Sequence, residues 1–450
     1  MLKSKLAVFA ALIAMLLSAP VLEASDEDIK ALRAEILKLK EAYEDRIAEL
    51  ESRLAEMERT KAKEVGAVSA RPATAKRLVK DNSFNPSIGL ILNGQYNQFS
   101  SDEGEIAGFA VGHEGERPRE GFAVDHTELN FTANVDDKFF GSVTAAIAQH
   151  EGETEVELEE AYLQAIPGLG LPDGMSVKAG RALWTLGYLN EHHSHTDDFA
   201  DRPLPYRVFF NEAFNDDGAE VSYVLATDFY SEIGGGLFRG DDFPFGGAKG
   251  GGAGAWSAFA RVGGDIGDNQ SWRLGGYLLS GEVPGGRVSN EDELTLIGDV
   301  DLYLADVRYT WAPTGNARQQ EVIFQSEYFW RNEDGTYEEA VSGGSTSTGD
   351  VGFDDSSSGW YAQAVYKFAP QWRVGLRTSQ LQAADGLGVD VLDSQGHDPK
   401  AYSVMLDWTN SEFSRVRLQY NREELAQGQD DDQVILQYIM SLGAHGSHKY

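Results

Sequence analysis

The sequence contains no cysteine, which excludes a disulfide framework, a thiolate metal site and a redox dithiol. Beyond the first two dozen residues it also lacks any run of about 18 apolar residues, so no helical membrane span is expected. Basic residues are scarce: 38 Lys and Arg stand against 72 Asp and Glu, a formal net charge of −34. Such a surface repels a phosphate backbone and excludes nucleic acid as a partner, while concentrating cations around it. There is no GxSxG elbow, HExxH pair or P-loop, and the chain is not expected to be an enzyme.

What is present is ordered along the chain. Lys3 and Lys5 precede an apolar run from Leu6 and a small-residue stretch ending at Ala24, the pattern of a secretory signal peptide over residues 1–24. Within residues 25–60, Ile29, Leu32, Ile36, Leu39 and Tyr43 recur at steps of three and four. Ile47, Leu50, Leu54 and Met57 continue the series after an additional four-residue step. This is the spacing of a coiled coil with a stutter near Tyr43, placed by export in the periplasm. An amphipathic helix packed on the main body has the same pattern. Residues 61–83 combine Gly, Pro, Ser and basic side chains without a period and read as a basic linker.

From residue 84 to residue 450 the period is two. Phe324, Tyr328 and Trp330 alternate with Gln325 and Glu327, and Tyr303, Val307 and Trp311 alternate with Asp306 and Arg308. About 16 such segments are expected, beginning near Ile88, Gly121, Phe139, Glu155, Met175, Ala219, Phe229, Ala255, Ser271, Val300, Glu321, Gly359, Trp372, Ala401, Phe413 and Gln433. The connections alternate between short turns such as VDDK, ATD, GDNQ and APQ and long loops such as 183–217, 280–298 and 332–358. Sorting short turns to one rim and long loops to the other is the organisation of an antiparallel transmembrane β-barrel, and 16 to 18 strands enclose an aqueous lumen. Trp311, Trp330, Phe368, Trp372 and Trp408 suit interfacial girdles, and the last segment alternates Val434, Leu436, Tyr438, Met440 and Leu442 before ending on Tyr450. The expected location is the outer membrane of a Gram-negative envelope. Acidic loops there permit Ca²⁺ or Mg²⁺ bridging to lipopolysaccharide phosphates.

The stretch VKAGRALWTLGYLN (Val177 to Asn190) resembles the strand-and-loop element of the phosphate-selective porin superfamily. The ending LQYIMSLGAH (Leu436 to His445), with GYLNEHHSHTDDFADRPLPYR, GWYAQAVYKF and SEFSRVRLQYNRE, resembles barrels described as zinc-regulated, TonB-dependent outer-membrane receptors. The resemblance covers nearly all of Asn85 to Tyr450. It implies an outer-membrane barrel, a homotrimer if porin-like, with zinc as a transported or loop-bound ion and no fixed cofactor. A TonB-dependent receptor brings a soluble plug and roughly 22 strands, whereas only the helical segment and linker precede residue 84. Three readings therefore remain: a porin-type channel biased toward cations or zinc, a TonB-linked zinc receptor, and a structural tether from the outer membrane to peptidoglycan.

The segment NEHHSHTDDFADRP, from Asn190 to Pro203, concentrates His192, His193, His195, Asp197, Asp198 and Asp201 in one long connection. It resembles the third loop of porins, which folds into the lumen as a constriction. Imidazole with carboxylate suits Zn²⁺, so His192, His193, His195, Asp197 and Asp198 are the candidate metal ligands. In an extended loop alternate residues share a side, which groups His193 and His195 with Asp197. Hydrogen-bonding loop structure is the competing reading. Arg373, Arg377, Arg415 and Arg417, with Asp201, are expected to line the pore, and His445 and His448 lie close to the far end of the last strand.

Overall fold

The computed structural model describes residues 86–443 apart from 125–126, 137, 151–152, 166–169, 248–251, 291–293, 340–350 and 385–391. The expected signal peptide, coiled coil and linker, and His445, His448 and Tyr450, lie outside the described residues.

Seventeen β-segments form one antiparallel sheet that closes on itself. They are β1 (Ser87–Gln98), β2 (Gly121–Val124), β3 (Thr127–Asn134), β4 (Phe139–His150), β5 (Glu153–Ala165), β6 (Met175–Leu183), β7 (Asn215–Val224), β8 (Tyr230–Phe238) and β9 (Ala255–Asp265). The series continues with β10 (Gln270–Ser289), β11 (Leu294–Trp311), β12 (Glu321–Glu339), β13 (Val351–Ala369), β14 (Trp372–Gln382), β15 (Lys400–Ser411), β16 (Ser414–Ala426) and β17 (Gln429–Gly443). β2 and β3 both pair with β1, at its upper and lower halves, and are two parts of one crossing. The barrel thus has 16 strands, sealed where Gly89 to Gln98 of β1 meet Gly443 to Val434 of β17.

Alternation sends apolar side chains outward and polar ones inward. On β12, Phe324, Tyr328 and Trp330 are 41%, 48% and 50% exposed, whereas Gln325 and Glu327 are buried. On β17, Leu436, Tyr438 and Leu442 face out and Gln433 and Gln437 face in. This is the reverse of a water-soluble protein, and it is the pattern a strand needs when lipid lies on one side and a polar lumen on the other. Trp311, Trp330, Phe368 and Trp408 are exposed on the outer wall, and Trp372 stands 6.4 Å from Trp408 across neighbouring strands.

Two expected loops are largely strand. β10 extends to Ser289, β11 starts at Leu294 rather than Val300, and β13 starts at Val351 rather than Gly359. Their polar, glycine-rich sequences hide the ladder, but the inner faces of β10 and β11 here carry Val283, Leu294 and Leu296, and the end of β12 carries Tyr337, all buried. They pack on segments folded in from the rim, and this tertiary burial overrides weak strand propensity.

Candidate functional site

The connection from β6 to β7, here loop three, folds into the barrel. Asn190, fully buried, closes it as a staple: its amide donates to the carbonyls of Trp184 (2.9 Å) and Phe214 (3.1 Å) and accepts from the Phe214 N–H at 2.6 Å. The loop carries one short helix, α1 (Leu204–Phe210), every residue of which is buried. Pro205 pre-sets its first turn, and Asn211 ends it in the left-handed region at φ 50°. The Asn211 side chain then accepts the Gly115 N–H at 2.6 Å, tying in the connection between β1 and β2. Tyr206, Phe209 and Phe210 pack around Phe329 of β12, with ring centroids 5.2 to 5.7 Å apart. Gly359 on the inner face of β13 makes room: a Cβ there would lie 3.1 Å from Phe209 and 3.2 Å from Pro205.

Loop three is clamped to the wall by two electrostatic seams of opposite sense. On β14 to β16 the wall is basic and the loop acidic. Arg373 pairs with Asp198 at 2.6 Å and Arg377 with Asp201 at 2.6 Å. Arg417 donates to the Asp197 carbonyl at 2.7 Å and Arg415 to the His195 carbonyl at 2.5 Å. Asp407 of β15 lies beneath these arginines, bonded to Arg417 at 2.8 Å and to Arg373. All four arginines expected to line the pore do face inward, but the loop carboxylates and carbonyls occupy them. Three carboxylates, Asp198, Asp201 and Asp407, offset most of this positive charge within the barrel.

Further round the barrel, past β17 and β1, the wall of β3 to β5 is acidic and the loop carries the imidazoles. His195 Nδ1 lies 2.7 Å from Glu128 Oε1 on β3, and His193 Nε2 lies 3.0 Å from Glu160 Oε2 on β5. The two imidazole rings stack with centroids 5.7 Å apart. Burial alone would weaken proton binding at His193, but the Glu128 charge and the bonds to Glu159 and Glu160 outweigh it and hold its pKa well above the usual value. His192 differs: burial lowers its pKa, only partly offset by its Nδ1–H donating to the Tyr188 carbonyl at 2.8 Å.

Of the candidate metal ligands, the structure therefore brings His193 and His195 together and leaves the others elsewhere. His192 stacks on Tyr188, Asp197 pairs with Arg202 at 2.9 Å, and Asp198 serves the basic seam, as does Asp201, expected to line the pore. The carboxylates that do meet the histidines, Glu128, Glu159 and Glu160, come from strands remote in sequence. The segment ELEEAY (Glu157 to Tyr162) carries one local signal, since its consecutive glutamates break the period of two.

Further contacts complete a ring. Glu327 of β12 accepts the N–H groups of Tyr188 and Leu189 at 3.2 Å and the Tyr206 hydroxyl at 2.8 Å. Arg261 of β9 holds Glu191 at 2.5 Å, and the Ala200 N–H donates to Gln419 of β16 at 2.8 Å. Loop three thus touches β3, β5, β9, β12, β14 and β16.

A 16-strand antiparallel barrel with an inward third loop has counterparts among solved structures. An anion-selective porin from Comamonas acidovorans superposes with a TM-score of 0.50 at 10% identity, covering 80% of this chain and 99% of that one. The barrel has the fold of the outer-membrane porins. The outer-membrane channel DcaP of Acinetobacter baumannii is also similar, with a TM-score of 0.49 and 14% identity over 80% of this chain and 97% of that chain. In sequence, an uncharacterized protein of Aquifex aeolicus (strain VF5) is 28% identical over 425 residues, 87% of this chain and 84% of the relative. No family model matches. The likeness to the Comamonas porin carries the fold alone, and none of these three proteins carries a TonB-linked description.

Proposed function

We propose that the protein is an outer-membrane porin-type channel that passes small hydrophilic solutes or ions with a bias toward cations. The observation that carries this reading is loop three crossing a polar lumen inside a barrel whose outer face is apolar. A constriction fastened to the wall on both sides selects by size and charge. Because Arg373, Arg377, Arg415 and Arg417 are already bonded, the net acidity of the chain dominates the field, and this supports cation preference. The homotrimer and contacts with lipopolysaccharide or peptidoglycan belong with this reading.

The test is purified protein in a planar bilayer between unequal KCl concentrations. Cation-selective reversal potentials are expected, and an anion-selective current would overturn the bias. The complete ring of contacts also favours a closed resting state that conducts only when loop three shifts. In that case current appears in bursts, and not as steady ohmic conductance.

A further inference from the structure

A β-bulge aims an extra carboxylate at the histidines of loop three. Where β4 and β5 pair, Thr144 faces Glu160 while the next residue, Ala145, faces Leu158, so Glu159 is the additional residue. Leu158 is exposed on the outer wall, and unbroken alternation would put Glu160 outside as well. The bulge instead lets Glu159 and Glu160 approach the same imidazole, and bulges recur where a strand re-aims a functional side chain. Glu159 Oε2 lies 3.3 Å and Glu128 Oε2 lies 3.5 Å from His193 Nδ1. The three atoms fall within 4.8 Å of one another.

We propose that His193 Nδ1, Glu128 Oε2 and Glu159 Oε2 form a binding site for a divalent first-row transition-metal ion, with Zn²⁺ the best match. A tetrahedral Zn²⁺ with bonds of about 2.0 Å separates its ligand atoms by roughly 3.3 Å, close to the two nitrogen-to-oxygen distances found here. The imidazole selects against Mg²⁺ and Ca²⁺, which take oxygen ligands. The surrounding bonds orient the ligands. Glu160 receives the Nε2–H of His193 at 3.0 Å, which turns Nδ1 toward the two oxygens, and His195 holds Glu128 by its other oxygen at 2.7 Å. Carboxylates behind ligating histidines are the usual support of such sites.

Two carboxylate oxygens converging on Nδ1 require a positive charge between them, and a proton or a metal ion supplies it. The His193 and Glu159 side chains keep 21% and 19% of their exposure, leaving a side from which an ion can enter and be exchanged. The site uses one histidine of the HHSH run directly and draws its carboxylates from β3 and β5. The aspartates that follow in the same loop take no part.

Isothermal titration of Zn²⁺ into the purified full chain in detergent tests this, with the optical spectrum of added Co²⁺ as a second readout. One ion per chain is expected. His193→Ala and Glu159→Gln each weaken binding by at least tenfold, and His192→Ala leaves it unchanged. The heat-modifiable gel shift of each variant reports that the barrel has folded. Absence of stoichiometric binding, or binding that His193→Ala and Glu159→Gln retain, overturns the proposal, as does equal loss in His192→Ala. Binding is read without transport, so this outcome is independent of whether the barrel conducts.

Discussion

Arg377 of β14 and Asp201 of loop three are joined by an ion pair of 2.6 Å between groups far apart in the chain. Asp201 also accepts the amides of Gln419 at 2.5 Å and Asn421 at 2.9 Å, so a single carboxylate fastens the loop to two strands. The remaining contacts of the basic seam repeat this arrangement on either side of it.

Asp201→Asn leaves the Arg377 guanidinium without its counter-charge and loosens the loop by about 2 kcal/mol, the scale of a charge-assisted hydrogen bond. Single-channel recordings should show larger or more frequent openings with the barrel intact. Unaltered conductance and gating would remove the clamp from the account of the channel.

Asn190→Ala removes the staple, taking a donor from the Phe214 carbonyl and the acceptor from the Phe214 N–H, at a cost of about 2 kcal/mol. Hydrogen exchange across 184–214 should accelerate while the strands keep their protection. Uniform acceleration over the whole barrel would mean that the loop and wall unfold as one unit.

The acidic seam makes the loop sensitive to pH. With its pKa raised in the folded state, His193 contributes stability that is fully present below the ordinary imidazole value near 6.5 and is lost as pH rises through the higher folded value. In chelator-treated protein, limited proteolysis of loop three should therefore increase on the alkaline side, and His193→Gln should flatten the dependence. A wild-type loop that loosens toward acid instead would contradict the sign.

Leu436, exposed on the outer face of β17, tests the lipid assignment. Leu436→Arg should destabilise the barrel in vesicles by about 2–4 kcal/mol if the position lies near the bilayer midplane. Urea unfolding in lipid measures this, and a negligible change would mean that the face does not meet hydrocarbon.

Much of the architecture was readable in the order of residues. A period of two with apolar residues on one face, interrupted alternately by short turns and long loops, leaves a closed antiparallel barrel as the arrangement that pairs every strand. The strand starts at Gly121, Phe139, Met175, Ala255, Glu321 and Trp372 fall where the alternation begins. The upper extensions of β10, β11 and β13 were not readable, because their polar sequences acquire an inner partner only when other segments fold against them.

Away from the bulge in β5, the sequence by itself determined which side chains face lipid and which face the lumen, since that follows from alternation along each strand. It also marked 190–203 as the segment with unusual chemistry. Only the tertiary structure decided the partners of that segment. Asp197 and Asp198 were drawn to Arg202 and Arg373, His192 to a carbonyl of its own loop, and His193 and His195 to Glu160 and Glu128 on β5 and β3. Buried charges settle against the nearest opposite charge in space, and when a loop crosses a barrel, nearness in space is set by the ring of strands, with separation along the chain having little influence.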